Sequence, residues 1–274
     1  MFIDPATIAG LGLTTFEHRN KLMPALRKVR YWLTHGKLQV AIFGPGGTGK
    51  TTVGQFLAGQ LNLGVNTGTY KQSIEMEKYA LKGDLVCKLL VPPGQPRRTI
   101  ETWPALYRSL SKGTSGGVIN VVSWGHHSFL EASYAETEYF KPGMTKDEFL
   151  AAYLEACRKR ELKIIEDLTP RLLDAPGKIW MITLVTKQDL WWNERLKVQQ
   201  YYAEGEYNNF IERIKHERGA QHFSHEYLSA SLVINNLTTD AGELLAPTTG
   251  GYDQNIQYVH LQQLLENVNS FARK

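Results

Sequence analysis

The segment GPGGTGKTT at residues 44 to 52 carries a glycine, four intervening residues, then glycine, lysine and threonine, at Gly44, Gly49, Lys50 and Thr51. Backbone N–H groups can wrap an anion closely only where side chains are absent, and Gly46 and Gly47 extend the bare stretch. A helix that starts at the lysine adds the positive end of its dipole. In such a loop Lys50 reaches the β- and γ-phosphates, the Thr51 hydroxyl holds Mg2+, and Thr48 and Thr52 complete the turn. The chemistry these residue types support is binding of a nucleoside triphosphate with Mg2+.

The loop alone does not select a base. TLVTKQDL at 183 to 190 sets Thr186, Lys187, Gln188 and Asp189 at the carboxyl end of an apolar run. In a doubly wound sheet, ligands lie in the crevice beyond such strand ends. A carboxylate there accepts from both the ring N–H and the exocyclic amine of guanine, a donor pair that adenine lacks. The stem of Lys187 can lie against the base. A four-residue match of this kind often arises by chance as an exposed turn; its weight comes from standing at a strand end downstream of the phosphate loop.

These residues need elements to hold them. Periodicity predicts a helix over 15 to 35, a strand at 38 to 43, and a helix from Lys50 to Leu61. DLVCKLLV at 84 to 91 and GGVINVVSW at 116 to 124 read as buried strands. Thr145 and Glu148 form a capping-box signature before a long helix in which Phe149, Tyr153, Cys157, Ile165 and Leu168 keep helical spacing, and Pro170 should kink or end it. KIWMITLV at 178 to 185 is a further buried strand, residues 225 to 234 a last one, and YVHLQQLLENVNSFA a closing helix. Strands alternating with helices argue for an α/β fold: a mostly parallel sheet with helices on both faces.

With the loop and TKQD in place, the chain resembles the Ras-like small GTPases, including the Rab and Arf groups, within the P-loop NTPases. In that family a strand ends in Asp-x-x-Gly-Gln; VPPGQPRRTIETW at 91 to 103 is similar, with Gly94 and Gln95 in the matching places. Thr69 lies 19 residues after Lys50 and 22 before Val91, intervals like those between the family's loop lysine, first-switch threonine and acidic turn. Ser229, Ala230 and Ser231 resemble the turn whose backbone meets the guanine carbonyl, a match of low specificity. The resemblance implies a Ras-like G domain over 38 to 274, with an elongated insert at about 125 to 175 and a basic helical extension at 1 to 37. It implies GTP or GDP as ligand, Mg2+ held by Thr51 and Thr69, and Gln95 orienting the attacking water.

One residue departs from the pattern. Val91 stands where the family carries the aspartate of the metal shell. Asp84 is in the same strand, but seven residues at about 3.3 Å each put it more than about 20 Å from the phosphates. Mg2+ keeps several waters readily and is often held by one or two protein groups plus phosphate oxygens, so its binding should weaken and not vanish. Pro92, Pro93 and Pro96 should stiffen the turn around Gly94.

Composition bounds the rest. A formal charge of +4 comes entirely from residues 1 to 37, where Arg19, Lys21, Arg27, Lys28, Arg30 and Lys37 outnumber Asp4 and Glu17; the remainder is balanced, so no nucleic-acid-binding surface is expected. The two cysteines, Cys87 and Cys157, read as buried thiols in a reducing compartment, and a cytoplasmic protein is expected. Leu22, Leu26, Val29 and Leu33 make the first helix amphipathic; such a helix can meet an anionic membrane or a protein partner, and more commonly docks on its own domain. The aromatic segment at 125 to 144 offers Tyr134, Tyr139 and Phe140 as a partner surface or a local lid; its His126 and His127 lack metal-ligand spacing. The expectation is a GTP-binding switch with slow hydrolysis that meets a protein effector or regulator. The rivals are a pseudo-GTPase scaffold without turnover and a phosphate-loop ATPase or kinase.

Overall fold

The computed structural model describes residues 15–34, 39–60, 77–79, 89–91 and 115–273. At their centre is a six-stranded sheet in the order β2-β3-β1-β4-β5-β6. Its strands are β1 (Gln39–Phe43), β2 (Glu77–Tyr79), β3 (Leu89–Val91), β4 (Ser115–Val122), β5 (Lys178–Val185) and β6 (Phe223–Ser229). Five run parallel, and β2 pairs antiparallel to β3 at the edge. The α/β class expected from the sequence is the class observed.

Alternation along the strands feeds two cores. Val40 and Ile42 of β1 turn to one face, under helices α1 (Thr15–Thr34), α2 (Lys50–Leu57) and α7 (Gln254–Phe271). Ala41 and Phe43 turn to the other, under α3 (Lys146–Asp174), α5 (Arg195–Ala203) and α6 (Glu206–Arg218). β5 is buried from its second residue onward. Fully covered parallel strands lose the polar alternation of a one-sided sheet, which is why KIWMITLV reads as an unbroken apolar run.

The first helix docks on its own domain. Leu22, Leu26, Val29 and Leu33 are its buried stripe, facing α7, and the Asn269 side chain donates to the Ala25 carbonyl at 3.2 Å. Among the described residues no helix is long and apolar enough to cross a membrane.

The capping box at Thr145 forms in full, with the hydroxyl accepting from the Glu148 N–H and the Glu148 carboxylate accepting from the Thr145 N–H. Of the two outcomes expected for Pro170, a kink or an end, the helix does not end there. The proline sits inside α3, and the chain stays helical to Asp174 with Ile165, Leu168 and Leu172 packed in the core. A proline this near a helix end removes one backbone bond, and burial of the apolar face outweighs that. β6 also stops at Ser229 and does not run to residue 234; beyond it, Ser231 and Asn235 turn inward as side-chain and backbone donors.

Segment 123 to 145 packs locally. Tyr134, Tyr139 and Phe140 lie half-buried against a cluster of Phe129, Phe149, Tyr153 and Cys157, joined by a small hairpin, β7 (Leu237–Thr238) and β8 (Leu244–Ala246). Tyr139 meets Tyr153 edge-on at 5.8 Å between centroids. Cys157 is a buried free thiol; Cys87 lies outside the described residues.

Candidate functional site

The phosphate loop runs from the end of β1 into α2. Gly44, Gly47 and Gly49 hold positive φ of 138, 79 and 89°. A Cβ on Gly44 would stand 2.1 Å from the Val121 carbonyl oxygen, so side chains are excluded there by contact as well as by φ. Gly49 is the N-cap of α2 and leaves the first-turn N–H groups of that helix without a side-chain cap. The Pro45 carbonyl accepts the Lys50 ammonium at 2.7 Å and the Thr48 hydroxyl at 3.0 Å. Lys50 thus points its charge into its own loop, where a phosphate oxygen can take over from the carbonyl. Thr51 and Thr52 follow in the first turn of α2, both half-buried.

Two outside groups grip this loop by its carbonyls. Ser128 donates its N–H at 3.0 Å and its hydroxyl at 3.2 Å to the Gly47 carbonyl. The Thr186 hydroxyl donates to the Thr48 carbonyl at 2.7 Å and to that of Val122 at 3.0 Å. In a trans peptide the C=O and the next N–H point in opposite directions, and the chain has no cis peptide among the described residues. Turning these carbonyls outward therefore turns the Thr48 and Gly49 N–H groups inward, the orientation an anion cradle needs. The residues present fit a phosphate group.

TKQD follows β5 directly. Lys187 caps α4 (Gln188–Trp191) with φ 54° and donates its ammonium to the Ser128 hydroxyl at 3.1 Å. Burial pulls its pKa down to about 8, against the opposing pull of Asp189 and Glu161. Asp189 is 1% exposed. One of its carboxylate oxygens accepts the Ser231 hydroxyl and the other the Asn235 N–H at 3.0 Å. Burial raises its pKa, and those donors only partly offset that. Ser229 accepts from the Gln188 amide at 2.8 Å, and the Ala230 N–H donates to the Val185 carbonyl at 3.1 Å.

The fold therefore gathers Gly44, Gly46, Gly47, Thr48, Gly49, Lys50, Thr51, Thr52, Thr186, Lys187, Asp189, Ser229 and Ala230 at the carboxyl ends of β1, β5 and β6. Thr69, Gly94 and Gln95 lie outside the described residues. Val91 is the last residue of β3, as the sequence implied, and in register it pairs with Glu77 of β2.

A second polar centre lies beside the loop, and no sequence motif points to it. Glu161 of α3 is fully buried. One of its oxygens accepts the Ser123 N–H at 2.9 Å, the Gly125 N–H at 3.1 Å and the His127 Nε2 at 3.0 Å, with the Ser123 hydroxyl at 3.4 Å; the other accepts the Tyr202 hydroxyl. Burial pushes the carboxyl up, but the donors, His127 first, outweigh it and hold Glu161 below the usual range. Burial holds His127 below its ordinary value, against the opposing pull of the Glu161 hydrogen bond and charge. Its Nδ1 has no hydrogen-bond partner among the described residues. One signal was present: Cys157, Glu161 and Ile165 are four apart, which puts an acid on the apolar stripe of a helix.

No protein-family model and no curated protein matches the sequence. Among solved structures it is similar to the signal recognition particle receptor SRb-GDP from Chaetomium thermophilum, at 15% identity and TM-score 0.36, covering 72% of this chain and 89% of that one. A second similar structure is the SRb-GTP/SRX complex from the same organism, at 15% identity and TM-score 0.30, covering 81% and 97%. Overlaps this loose add nothing to what the strand order and the loop geometry already establish.

Proposed function

We propose that this chain is a guanine-nucleotide-binding switch with slow, Mg2+-assisted hydrolysis of GTP. The observation that carries the reading is the Thr186 bridge: the residue opening TKQD bonds directly to the phosphate loop at Thr48, so base-reading and phosphate-holding segments share one edge of the sheet. A nucleotide with its phosphates among the inward N–H groups of Thr48 and Gly49 and the ammonium of Lys50 would extend its base toward Lys187 and Asp189. Each Asp189 oxygen accepts one donor from elsewhere in the chain, besides the residue's own N–H, and lone-pair capacity remains on the carboxylate. Reaching it requires the 231–235 segment, which now covers it, to yield on binding.

When bound, Mg2+ would neutralise phosphate charge at Thr51, with Thr69 completing the shell and Gln95 orienting water; weakened metal binding at Val91 is the reason for expecting slow turnover. Contact with a protein effector or regulator, a cytoplasmic location and peripheral membrane contact through residues 1–37 belong to the same proposal. The test is competition against fluorescently labelled GDP. Displacement by GTP at concentrations at least about tenfold below those needed for ATP supports it, since each tenfold is about 1.4 kcal/mol of discrimination. Equal displacement removes Asp189 from base reading and favours the ATPase or kinase alternative.

A second reading is a scaffold that holds nucleotide without turnover. The occupied oxygens of Asp189 and the absent carboxylate at Val91 favour it. Single-turnover phosphate release separates the two: Val91→Asp should raise both turnover and Mg2+ dependence in a switch, and leave a scaffold inert.

A further inference from the structure

Glu161 touches no residue of the phosphate loop, yet everything it binds leads there. Its donors come from Ser123, Gly125 and His127, and Tyr202, which donates to its second oxygen, also accepts the Trp124 N–H at 3.1 Å. That fixes the backbone of 123 to 127 in a shape it would not hold unaided. Trp124 has φ 55° and Gly125 φ 79°, the former in a region non-glycine residues avoid. The next residue is Ser128, which holds the Gly47 carbonyl with two donors and receives Lys187. The path from carboxylate to phosphate loop is therefore continuous and short.

The chemistry of the pocket argues against simple stapling. A buried carboxylate is costly, and an apolar residue at this point of the stripe between Cys157 and Ile165 would fill the space. The arrangement also leaves His127 Nδ1 buried without a partner among the described residues, a feature that in native proteins calls for a reason beyond packing. What the carboxylate uniquely provides is a fixed set of acceptors that hold a strained turn in one shape.

We propose that Glu161 is a positioning residue for the phosphate loop: through the 123–127 turn and Ser128 it holds the Gly47 carbonyl outward and so keeps the Thr48 N–H aimed at the bound phosphate. The consequence for nucleotide rests on the function proposed above. The mechanical link between Glu161 and Gly47 does not.

The experiment uses the full chain and two readouts, release of labelled GDP and amide hydrogen exchange at 45–50 and 123–128. Glu161→Gln keeps the shape and loses the charge; release should accelerate about tenfold, equivalent to about 1.4 kcal/mol, with faster exchange at both segments. Tyr202→Phe removes one hydroxyl and keeps the ring, so it should shift both readouts in the same direction by about threefold, and it serves where Glu161→Gln fails to fold. Ile165→Val, one turn further along α3, should lower the melting temperature without altering either. If Ile165→Val accelerates release as much as the polar variants do at matched stability, Glu161 is only structural and the proposal falls. If the wild type binds no guanine nucleotide but Glu161→Gln still frees the amides at 45–50, the positioning link stands and the function proposed above fails. Unchanged exchange at 45–50 in both polar variants overturns the link.

Discussion

Asp189 and Glu161 flank the phosphate loop, and both are almost fully buried, yet the protein treats them oppositely. Glu161 gathers donors on both oxygens and sits below the usual carboxyl range; Asp189 has a single side-chain or backbone donor from elsewhere in the chain on each oxygen and is pushed above it. Burial has the same sign for both, so what opposes it decides: His127 beside Glu161 together with its larger set of donors. A saturated carboxylate has its acceptors committed to the turn it positions. An under-supplied one has capacity left for a ligand's N–H groups, which is what a base-reading residue needs.

The comparison breaks most visibly at Glu161. Glu161→Leu leaves the Ser123 and Gly125 N–H groups, His127 and Tyr202 without their acceptor, and urea unfolding should show a loss of about 3 to 5 kcal/mol, typical of breaking a buried charge network. Asp189→Asn is milder. Its amide can satisfy only one of the two donors, so about 1 to 3 kcal/mol should be lost. The same variant should abolish guanine preference in the competition assay, because the new NH2 faces the exocyclic amine of guanine donor to donor, and should favour xanthine, which offers a carbonyl in place of that amine. Equal destabilisation by the two substitutions would end the argument from donor number.

pH sharpens the contrast without large perturbation. Glu161 has a folded pKa below its unfolded value of 4.5, so its stabilisation is present above that pH and is lost as pH falls through it. Asp189 has a folded pKa above its unfolded value of 3.8; the folded state then holds more protons in that window, and its contribution improves as pH falls. The stability difference between wild type and Glu161→Gln should therefore shrink on acidification, and that between wild type and Asp189→Asn should shift toward wild type. Each slope is at most about 1.4 kcal/mol per pH unit. The buried neutral rings of His126, His225 and His260, with pKa values lowered to about 4, 3 and 4, cost stability as pH drops below about 6.5, but they do so in every variant and largely cancel. Parallel slopes for the two carboxyl variants would mean that their environments do not differ as described.

How far the sequence revealed this follows from what each residue answers to. The phosphate loop was legible because glycine spacing is dictated by backbone geometry, and β5 because burial on both faces leaves an unbroken apolar run with matching ends. The start of α3 was legible from its capping box. At Pro170 the helix does not end because a local rule met a tertiary one: the core contacts of Leu168 and Leu172 hold the last turn helical. α4, α5, α6 and the β7–β8 hairpin went unassigned. The apolar residues of α5 and α6, including Val198, Tyr202, Tyr207, Ile211 and Ile214, are spread thinly among charges. Glu161 was invisible as a site because its partners are mostly backbone N–H groups brought by another segment, which no motif encodes. Asp189 was singled out by its place at a strand end, but not that Ser231 and Asn235 already serve it, since only the end of β6 at Ser229 turns those residues inward.

The smallest expected effect concerns the residue that joins the two ends of the comparison. Thr186 gives its hydroxyl to Thr48 and Val122, while its own N–H separately meets the Val122 carbonyl at 2.8 Å. Thr186→Val preserves shape and that backbone bond, and removes the one side-chain donor among the described residues that reaches the Thr48 carbonyl. The loss should be about 1 kcal/mol, the net worth of a single neutral hydrogen bond. If carbonyl anchoring aims the Gly49 N–H inward, the effect will be local: amides at 48–50 exchange faster, labelled GDP leaves faster, and those at 123–128, held by Glu161, stay unchanged. Thr186→Ser retains the hydroxyl and should behave like wild type in all three. Were the valine and serine variants indistinguishable, the bridge between TKQD and the phosphate loop would be a contact without consequence, and the two carboxylates would have to be understood as belonging to separate sites.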